Sequence, residues 1–345
     1  MMQLARNYWL ALLGLAILVS CTPVDVDSSM SPKRLEGQTM GTYYVVTLFA
    51  DAEPVDWVQL QQKIDAEFES VNQLMSTYIP DSELMRFNSW NSTQPFLLSE
   101  ETAEVIAEAL RVAEETEGLL DVTIRPLVEL WGFGATGRVE QAPSEEQYQQ
   151  VLPYIGYDKL HLDALWLSKS DPRVSLDLST IAKGYGVDRV AELLDDLGFT
   201  AYLVEVGGDI RLRGPKPDGQ PWRIAVERPV SGEQAVQRII EFETMALATA
   251  GDYRNYFEQD GVRLSHILDP RTGRPIQNRV VSSTVLHASC ISADAYSTAL
   301  MIMDADEAIA FADELGLAAF IIVKTEHGFE ERSSRAFEPF LHKGH

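Results

Sequence analysis

The stretch that decides the fold class runs from Thr200 to Gly214 and reads TAYLVEVGGDIRLRG. Two segments with the composition of β-strands flank the glycine pair Gly207 and Gly208. Glycine suits a tight turn because it reaches positive φ without a steric penalty. The pattern therefore predicts a strand, a tight turn and an antiparallel return strand.

The rest of the chain mixes helices and strands without a regular alternation. Apolar residues spaced three or four apart predict helices over 56–75, 100–117 and 179–197, with Ser99 and Ser179 as N-caps of the last two. Further elements are predicted as strands at 39–50, 222–227, 238–243, 280–286 and 318–323, and as helices from about Ser292 and over 305–315. This arrangement predicts an α+β fold around a mainly antiparallel sheet.

Composition limits the classes of partner. The chain has 345 residues, 46% of them hydrophobic, which is enough for a sizeable core. Its formal net charge is −24. A surface this acidic repels phosphate backbones, so we expect no nucleic-acid partner. A small anionic ligand would need a locally basic pocket or a metal ion.

The N-terminal residues have the features of a lipoprotein leader. An apolar run of eleven residues from Trp9 to Val19 is too short to span a bilayer, which needs about 20 residues, but suits a signal peptide. The LVSC motif that ends at Cys21 resembles a bacterial lipobox. We therefore expect a signal peptide over 1–20, a lipid on Cys21, a flexible tether over 21–33 and the folded domain over 34–345. The alternative is an ordinary signal peptide with an unrelated cysteine.

The second cysteine then has no partner for a disulfide. Cys290 lies in an apolar run, so we expect it to be a small buried hydrophobic residue and not a nucleophile.

The segment DLSTIAKGYGVD, residues 177–188, combines an acid, hydroxyls, a lysine and two glycines at a predicted helix start. A helix N-terminus attracts anions, and Lys183 lies within reach of a phosphate there. Gly184 and Gly186 each weaken a helix by about 1 kcal/mol relative to alanine, which is tolerated where something approaches the backbone closely. The alternative is a capped helix whose glycines allow tight packing.

Two further segments contain residues that could bind a metal ion or accept a proton, but the spacing of these residues also fits ordinary structural roles. In SADAYSTALM, Asp294 and Thr298 are four residues apart and share a helix face, as oxygen ligands of Mg²⁺ or Ca²⁺ could. An ordinary helical acid and threonine would look the same. In LSHILDPRTGRP, His266 could accept a proton beside Arg271 and Arg274, although a surface turn explains the pattern equally well.

Other polar residues fall among apolar or aromatic ones. Asp121 lies in an apolar run and should be hydrogen-bonded, because an unpaired buried acid is costly. The segment LATAGDYRNYF, residues 247–257, could line a pocket for a flat ring or form ordinary strand and turn.

Taken together, these segments resemble the ApbE family of FAD:protein FMN transferases. The motifs TMGTYY, STYIPDSEL, GLLDVT, DLSTIAKGYGVD, EVGGDIRLRG, ATAGDYRN, HILDPRTG and SADAYSTALM follow in the order of the family, from about Gly37 to Met303. The resemblance implies a single large T-fold-like α+β domain with helices packed on a mainly antiparallel sheet. One departure is Ala250, where the family usually has serine.

The resemblance also implies roles for individual residues. FAD contacts are expected at Met40, Tyr78, Leu119, Leu120, Asp121, Asp177, Lys183 and Leu268. A metal ion, Mg²⁺ by preference, is expected on the backbone carbonyl of Thr180 and the side chains of Asp294 and Thr298. Either Asp177 or His266 would take the proton of the nucleophile.

The implied activity is transfer of FMN from FAD to a Thr or Ser hydroxyl of an acceptor protein, with release of AMP. The alternatives are hydrolysis of FAD to FMN and AMP, or flavin binding without catalysis. The acceptors implied are subunits of membrane redox complexes of the Nqr and Rnf type. The expected location is the bacterial cell envelope, at the inner membrane facing the periplasm, through the lipid anchor.

Overall fold

The computed structural model describes residues 31–49, 54–137, 142–230, 235–252, 256–259 and 262–341. The predicted signal peptide, the lipidation residue Cys21 and the tether up to residue 30 lie outside these ranges, as do Tyr253 and Arg254. Within the ranges, no helix has the length and apolar character needed to cross a bilayer.

The chain forms eight helices and seventeen strands within the described residues. The helices are α1 (Trp57–Met75), α2 (Glu83–Asn88), α3 (Glu100–Glu115), α4 (Arg125–Leu130), α5 (Glu145–Val151), α6 (Ala182–Asp196), α7 (Cys290–Ile302) and α8 (Ala305–Leu315). The strands are β1 (Lys33–Thr39), β2 (Thr42–Leu48), β3 (Phe96–Leu97), β4 (Leu160–Asp163), β5 (Trp166–Lys169), β6 (Tyr202–Val206), β7 (Asp209–Arg213), β8 (Trp222–Glu227), β9 (Val236–Phe242), β10 (Met245–Gly251), β11 (Tyr256–Gln259), β12 (Val262–Ser265), β13 (Leu268–Asp269), β14 (Arg274–Pro275), β15 (Val280–His287), β16 (Ala318–Thr325) and β17 (Gly328–Ser333). Short 3-10 helices cover Val122–Ile124, Leu152–Tyr154, Tyr157–Lys159 and Glu338–Phe340.

Eight strands form the main sheet in the order β1-β2-β6-β7-β10-β15-β16-β17, and every neighbouring pair is antiparallel. The hairpin predicted from the opening stretch is β6–β7, in which Val206 pairs with Asp209 across Gly207 and Gly208. Both glycines have positive φ, 58° and 105°. The predicted α+β fold with a mainly antiparallel sheet is confirmed.

The sheet separates two packed layers. On one face, alternate residues of β2 and β6 pack against α1 and α6, and α7 packs on β10 and β15. On the other face, Leu203, Ile210 and Leu247 pack against the hairpin β8–β9, which contributes Trp222 and Ile224. The sheet can contact both layers because successive side chains of a strand point to its opposite faces.

The start of α6 differs from its prediction. Ser179 does not cap the helix, which begins at Ala182 with no side-chain cap at Ile181. Instead, the Ser179 amide donates to the Asp177 carboxylate at 2.8 Å, and a turn intervenes before the helix. The Asp177 carboxylate closes a local turn through this amide, as Asp commonly does, and the helix begins only after that turn.

Helices α6 and α7 meet at Gly184. A Cβ atom at this position would lie 2.3 Å from the carbonyl oxygen of Cys290 and 2.9 Å from Cβ of Asp294. The backbone that approaches Gly184 therefore belongs to the protein itself, which favours the close-packing interpretation of this glycine. Cys290 is fully buried, as expected.

We expect Gly184→Ala to destabilise the protein by about 2–3 kcal/mol or more, because the new methyl group meets backbone atoms that cannot rotate away. The matched control is Gly186→Ala on the same helix, where the nearest atom is Cε of Met40, at the flexible end of a side chain, 2.5 Å away. Denaturant unfolding of both variants checks the difference. Equal losses of stability would contradict the proposed backbone contact.

Candidate active site

One cleft of about 1060 Å³ collects every residue predicted to bind FAD, hold the metal or move the proton. The residues come from the β1–β2 turn, the ends of α1 and α3, the start of α6, the segment around β13, and α7. They are Met40, Tyr78, Leu119, Leu120, Asp121, Asp177, Thr180, Lys183, His266, Leu268, Asp294 and Thr298. Ala250 also lines the cleft.

The charged centre of the cleft is a cluster of one lysine and two aspartates. Nζ of Lys183 lies 2.5 Å from Oδ2 of Asp209 and 3.1 Å from both carboxylate oxygens of Asp294. The amide of Gly184 donates to Oδ2 of Asp294 at 3.1 Å. Asp209 and Asp294 are 2% and 3% exposed, whereas the Lys183 side chain is 33% exposed. The lysine thus joins two buried acids to the open cleft.

Burial and the neighbouring charges shift the pKa values in this cluster. Burial, followed by the Asp209 carboxylate, raises the pKa of Asp294 to about 7, although Lys183 and the Gly184 amide oppose the shift. Burial disfavours the charged form of Lys183, but the two carboxylates outweigh this effect and raise its pKa. Lys183 is therefore a cation at neutral pH.

The predicted metal ligands fit a hard divalent cation. A carboxylate from Asp294, a hydroxyl from Thr298 and a carbonyl from Thr180 are oxygen donors of the kind that Mg²⁺ and Ca²⁺ take. The ammonium of Lys183 already occupies both oxygens of Asp294, so this carboxylate accommodates positive charge. Among the described residues no three His, Cys, Asp or Glu side chains form a metal-binding group, so a metal ion held by Asp294 would depend on carbonyl and hydroxyl donors as well.

The segment that leads into α6 is held by contacts from distant parts of the chain. The side chain of Asn88 accepts from the Leu176 amide at 2.7 Å and donates to its carbonyl at 2.9 Å. Nζ of Lys169 donates to the Val174 carbonyl at 2.9 Å. Asp177, which follows, is buried and its amide donates to the Val122 carbonyl at 2.8 Å. These contacts fix the backbone that presents Asp177 and Thr180 to the cleft.

Asp121 has the hydrogen bonds expected for a buried acid. Its Oδ1 accepts from the amide of Thr123 at 2.8 Å and from the hydroxyl of Thr123 at 2.6 Å. Burial nevertheless raises its pKa, against the effect of these bonds. Asp121 therefore stabilises the short helix Val122–Ile124 and also borders the cleft.

His266 and Tyr78 lie at more open positions. His266 is partly exposed and its ring meets Phe133 edge-on, with centroids 6.3 Å apart. Tyr78 is 69% exposed at the rim of the cleft. An aromatic ring at this position can contact a flat ligand without first leaving a packed core.

The expectation that Arg271 and Arg274 bring positive charge to His266 is wrong. Arg271 pairs with Asp269 at 2.9 Å, and Arg274 pairs with Glu145 at 2.7 Å. Neither arginine lines the cleft. The turn folds these side chains back onto nearby acids, so their charge is neutralised locally.

Asp188 is a structural residue of the site that spacing did not reveal. Its carboxylate lies at the start of α7, where Oδ1 and Oδ2 accept from the amides of Cys290 and Ile291, both at 2.9 Å. Arg211 pairs with the same carboxylate at 2.7 Å. A negative charge at a helix N-terminus is stabilising. Asp188 therefore links α6 to the helix that carries Asp294 and Thr298.

We expect Asp188→Asn to lower the free energy of unfolding by about 2–4 kcal/mol. The side-chain NH2 group of asparagine would replace one of the two oxygens that accept from the Cys290 and Ile291 amides, and Arg211 would lose its charged, buried partner. The control is Asp196→Asn at the exposed end of the same helix, which should change stability by less than about 0.5 kcal/mol. Denaturant titration of the two variants measures both effects. Similar small losses would show that the helix link is unimportant.

Comparisons with known proteins identify the family of the chain. The family model described as the ApbE family matches residues 40–321. The chain belongs to the ApbE family. A relative from Vibrio cholerae, the FAD:protein FMN transferase, is 48% identical over 338 residues, which is 98% of this chain and 100% of that protein. The FAD:protein FMN transferase of Escherichia coli K12 is 39% identical over 313 residues, 89% of this chain and 88% of that protein.

Solved structures of ApbE proteins share the fold. The flavin transferase ApbE from Vibrio cholerae matches with a TM-score of 0.85 at 48% identity, covering 90% of this chain and 99% of that one. The apo form of the flavinyl transferase ApbE from Pseudomonas stutzeri matches with a TM-score of 0.84 at 36% identity, covering 91% and 98% of the two chains. The predicted ApbE membership is therefore confirmed.

Proposed function

We propose that this protein transfers FMN from FAD to a Thr or Ser hydroxyl of an acceptor protein and releases AMP. The observation that carries the proposal is the convergence of twelve residues from distant segments on one cleft around the Lys183, Asp209 and Asp294 cluster. The names of the relatives support the same reaction.

The reaction is a phosphoryl-type substitution. The acceptor oxygen attacks the phosphorus of the FMN half, a P–O ester bond forms, and the anhydride bond to the AMP half breaks. AMP leaves with the bridging oxygen, and the hydroxyl proton passes to a base of the enzyme. Such reactions depend on positioning and on neutralising the charge of the phosphates.

The charge balance of the cleft supports a metal requirement. Among the described residues that line it, only Lys183 and Arg223 are cations, and Arg223 pairs with Glu241 at 3.2 Å. The acids that line it are Asp121, Asp177, Glu205, Glu227 and Asp294. A pyrophosphate would add negative charge to a site that is already acidic. Mg²⁺ on Asp294, Thr298 and the Thr180 carbonyl would supply Lewis-acid neutralisation of that charge.

His266 is the better candidate for the base. Asp177 is buried, and one of its carboxylate oxygens is already bound to the Ser179 amide. This contact favours the interpretation that Asp177 shapes the start of α6 and contacts FAD. His266 is partly exposed in the cleft, where an incoming hydroxyl can approach it.

One experiment separates the transferase from its alternatives. The purified protein is incubated with FAD and Mg²⁺, with and without a candidate acceptor subunit, and the products are analysed by mass spectrometry. Covalent FMN on the acceptor together with free AMP supports the transferase. Free FMN and AMP with no acceptor labelling would indicate a hydrolase, and unchanged FAD would indicate a binding protein.

We propose further that Cys21 carries a lipid anchor and that the domain works in the cell envelope, at the inner membrane facing the periplasm. The leader charge, the length of its apolar run and the position of Cys21 support this assignment. Acceptors of the Nqr and Rnf type, which are membrane complexes, would meet an enzyme held at the same surface.

Cys21→Ser should leave the precursor unlipidated, because only the thiol can form the thioether link to the lipid. A domain that begins near Pro32 should remain soluble and active. Metabolic labelling with a fatty acid and fractionation of the cells measure the first effect, and FMN transfer by the truncated domain measures the second. Incorporation of fatty acid into the Ser variant would contradict the assignment of Cys21.

A further inference from the structure

Strand β8 runs along one wall of the cleft. Residues 223–227 all line it, although Ile224 and Val226 point into the core and Arg223 and Ala225 point outward to solvent. The cleft contacts residues whose side chains point to opposite faces of β8. It therefore follows the edge of the strand and not one of its faces.

The edge of β8 that is not paired with β9 offers free backbone groups. Just beyond β8, the Arg228 amide donates to the Ala235 carbonyl on the β9 side at 2.7 Å. Because successive residues of a strand direct their N–H and C=O groups to opposite edges, those of Arg223 and Ala225 face away from β9. Within the described chain, the backbone groups of Arg223 and Ala225 make no backbone hydrogen bond at this outer edge. Strand β8 pairs with β9 alone among the described strands.

The β8 edge and the charged cluster belong to one continuous cleft. Leu203 and Ile210 of the main sheet form its floor beside β8. The Gly207–Gly208 turn also lines the cleft, and a Cβ atom on Gly208 would have open space around it. The next residue after this turn is Asp209, which holds Lys183. The cleft therefore passes round the end of β6–β7 from the β8 side to the Lys183 side.

We propose that the open edge of β8 docks the acceptor protein. An extended segment of the acceptor pairs with Arg223 and Ala225 as an added strand and leads its Thr or Ser past the Gly207–Gly208 turn towards Lys183. The six residues of β8 span about 20 Å, enough for a segment of similar length. In strand addition, backbone hydrogen bonds supply the binding affinity. This mode of binding therefore suits an enzyme whose protein substrate is a flexible segment. This inference rests on the proposed transfer reaction.

The test uses Ala225→Pro, which removes the outward N–H group at an edge where proline is tolerated. The control, Ala225→Ser, keeps this N–H group and a small side chain. With an acceptor subunit that the unaltered enzyme labels with FMN, Ala225→Pro should raise the KM for the acceptor about tenfold or more, as expected from the loss of a backbone hydrogen bond and closer strand contact. The Kd for FAD should stay within about twofold, and Ala225→Ser, which keeps the N–H group, should have a KM for the acceptor several-fold lower than that of Ala225→Pro.

A second measurement does not depend on the proline variant folding. Ala225→Cys, labelled with a benzophenone maleimide and irradiated with the acceptor, should crosslink within a few residues of the flavinylated Thr or Ser. Crosslinks to another region of the acceptor, or none, would overturn the docking edge, as would an unchanged KM in folded Ala225→Pro. If the unaltered enzyme labels no acceptor at all, the transferase proposal fails and the docking edge fails with it.

Discussion

Asp294→Asn should lower FMN transfer by about a thousandfold or more, roughly 4 kcal/mol in the barrier, with a change in FAD affinity of less than about tenfold. Asparagine keeps the shape and can still accept from the Gly184 amide, but it loses the charge that a divalent cation needs. Lys183 retains Asp209 as its partner in this variant, so the fold should survive. Single-turnover rates, metal titration by calorimetry and thermal unfolding separate these effects.

The matched control is Asp209→Asn. Asp209 is as deeply buried as Asp294 and also contacts Lys183, but it is not a predicted metal ligand. A role of Asp294 as ligand requires that metal affinity falls much further in Asp294→Asn than in Asp209→Asn. Equal losses of metal affinity in the two variants would show that the pocket needs negative charge in general and that Asp294 is not a specific metal ligand.

His266→Ala should lower the transfer rate by about a hundredfold to a thousandfold, because a positioned general base contributes on this scale. The Kd for FAD should change little, since the ring of His266 lies at the partly exposed side of the cleft and meets Phe133. Added imidazole should restore part of the rate if His266 takes the proton. Stopped-flow measurement of flavin transfer with and without imidazole gives the result.

Asp177→Asn is the comparison that assigns the base. An asparagine oxygen can still accept from the Ser179 amide, so the turn before α6 should persist in this variant. We expect FAD affinity to change more than the rate constant. A steep loss of rate in Asp177→Asn, together with a His266→Ala enzyme that keeps its activity, would reverse the assignment and make Asp177 the base.

The sequence predicts β2, β6, β7, β15 and β16 of the main sheet, and most helices, because their signals are local. It does not predict the edge strands β1 and β17. The glycine pair at 207–208 and the alternating residues on each side specify β6–β7 without help from other segments. Helix α1 follows directly from the spacing of its buried residues, which include Leu60, Ile64 and Phe68. Apolar residues recur with period two in these strands and period 3.6 in these helices because one face of each element packs against the core.

The contacts between the motifs could not be predicted, because they depend on packing over long chain separations. Asp209 belongs to a turn motif with a low specificity, and nothing local indicates that it binds Lys183. In the sequence, Asp188 looks like an ordinary acid on a helix surface, and only the packing of α7 against α6 shows its contacts. The start of α6 and the role of Arg271 were predicted wrongly because a nearby aspartate decides each of them. Asp177 holds a turn before the helix, and Asp269 pairs with Arg271.

The contacts that close the site join residues more than 100 positions apart: Lys183 and Asp294 are separated by 111 residues, and Asp188 and Cys290 by 102. Closing loops of this length costs chain entropy before any contact is gained. A proteolytic fragment that ends before α7 would therefore contain most of the cleft-lining segments but would lack Asp294 and Thr298. Because the pocket is complete only when α7 has docked, FAD bound there would stabilise the fully folded chain and not its fragments, and FAD binding would report that folding is complete.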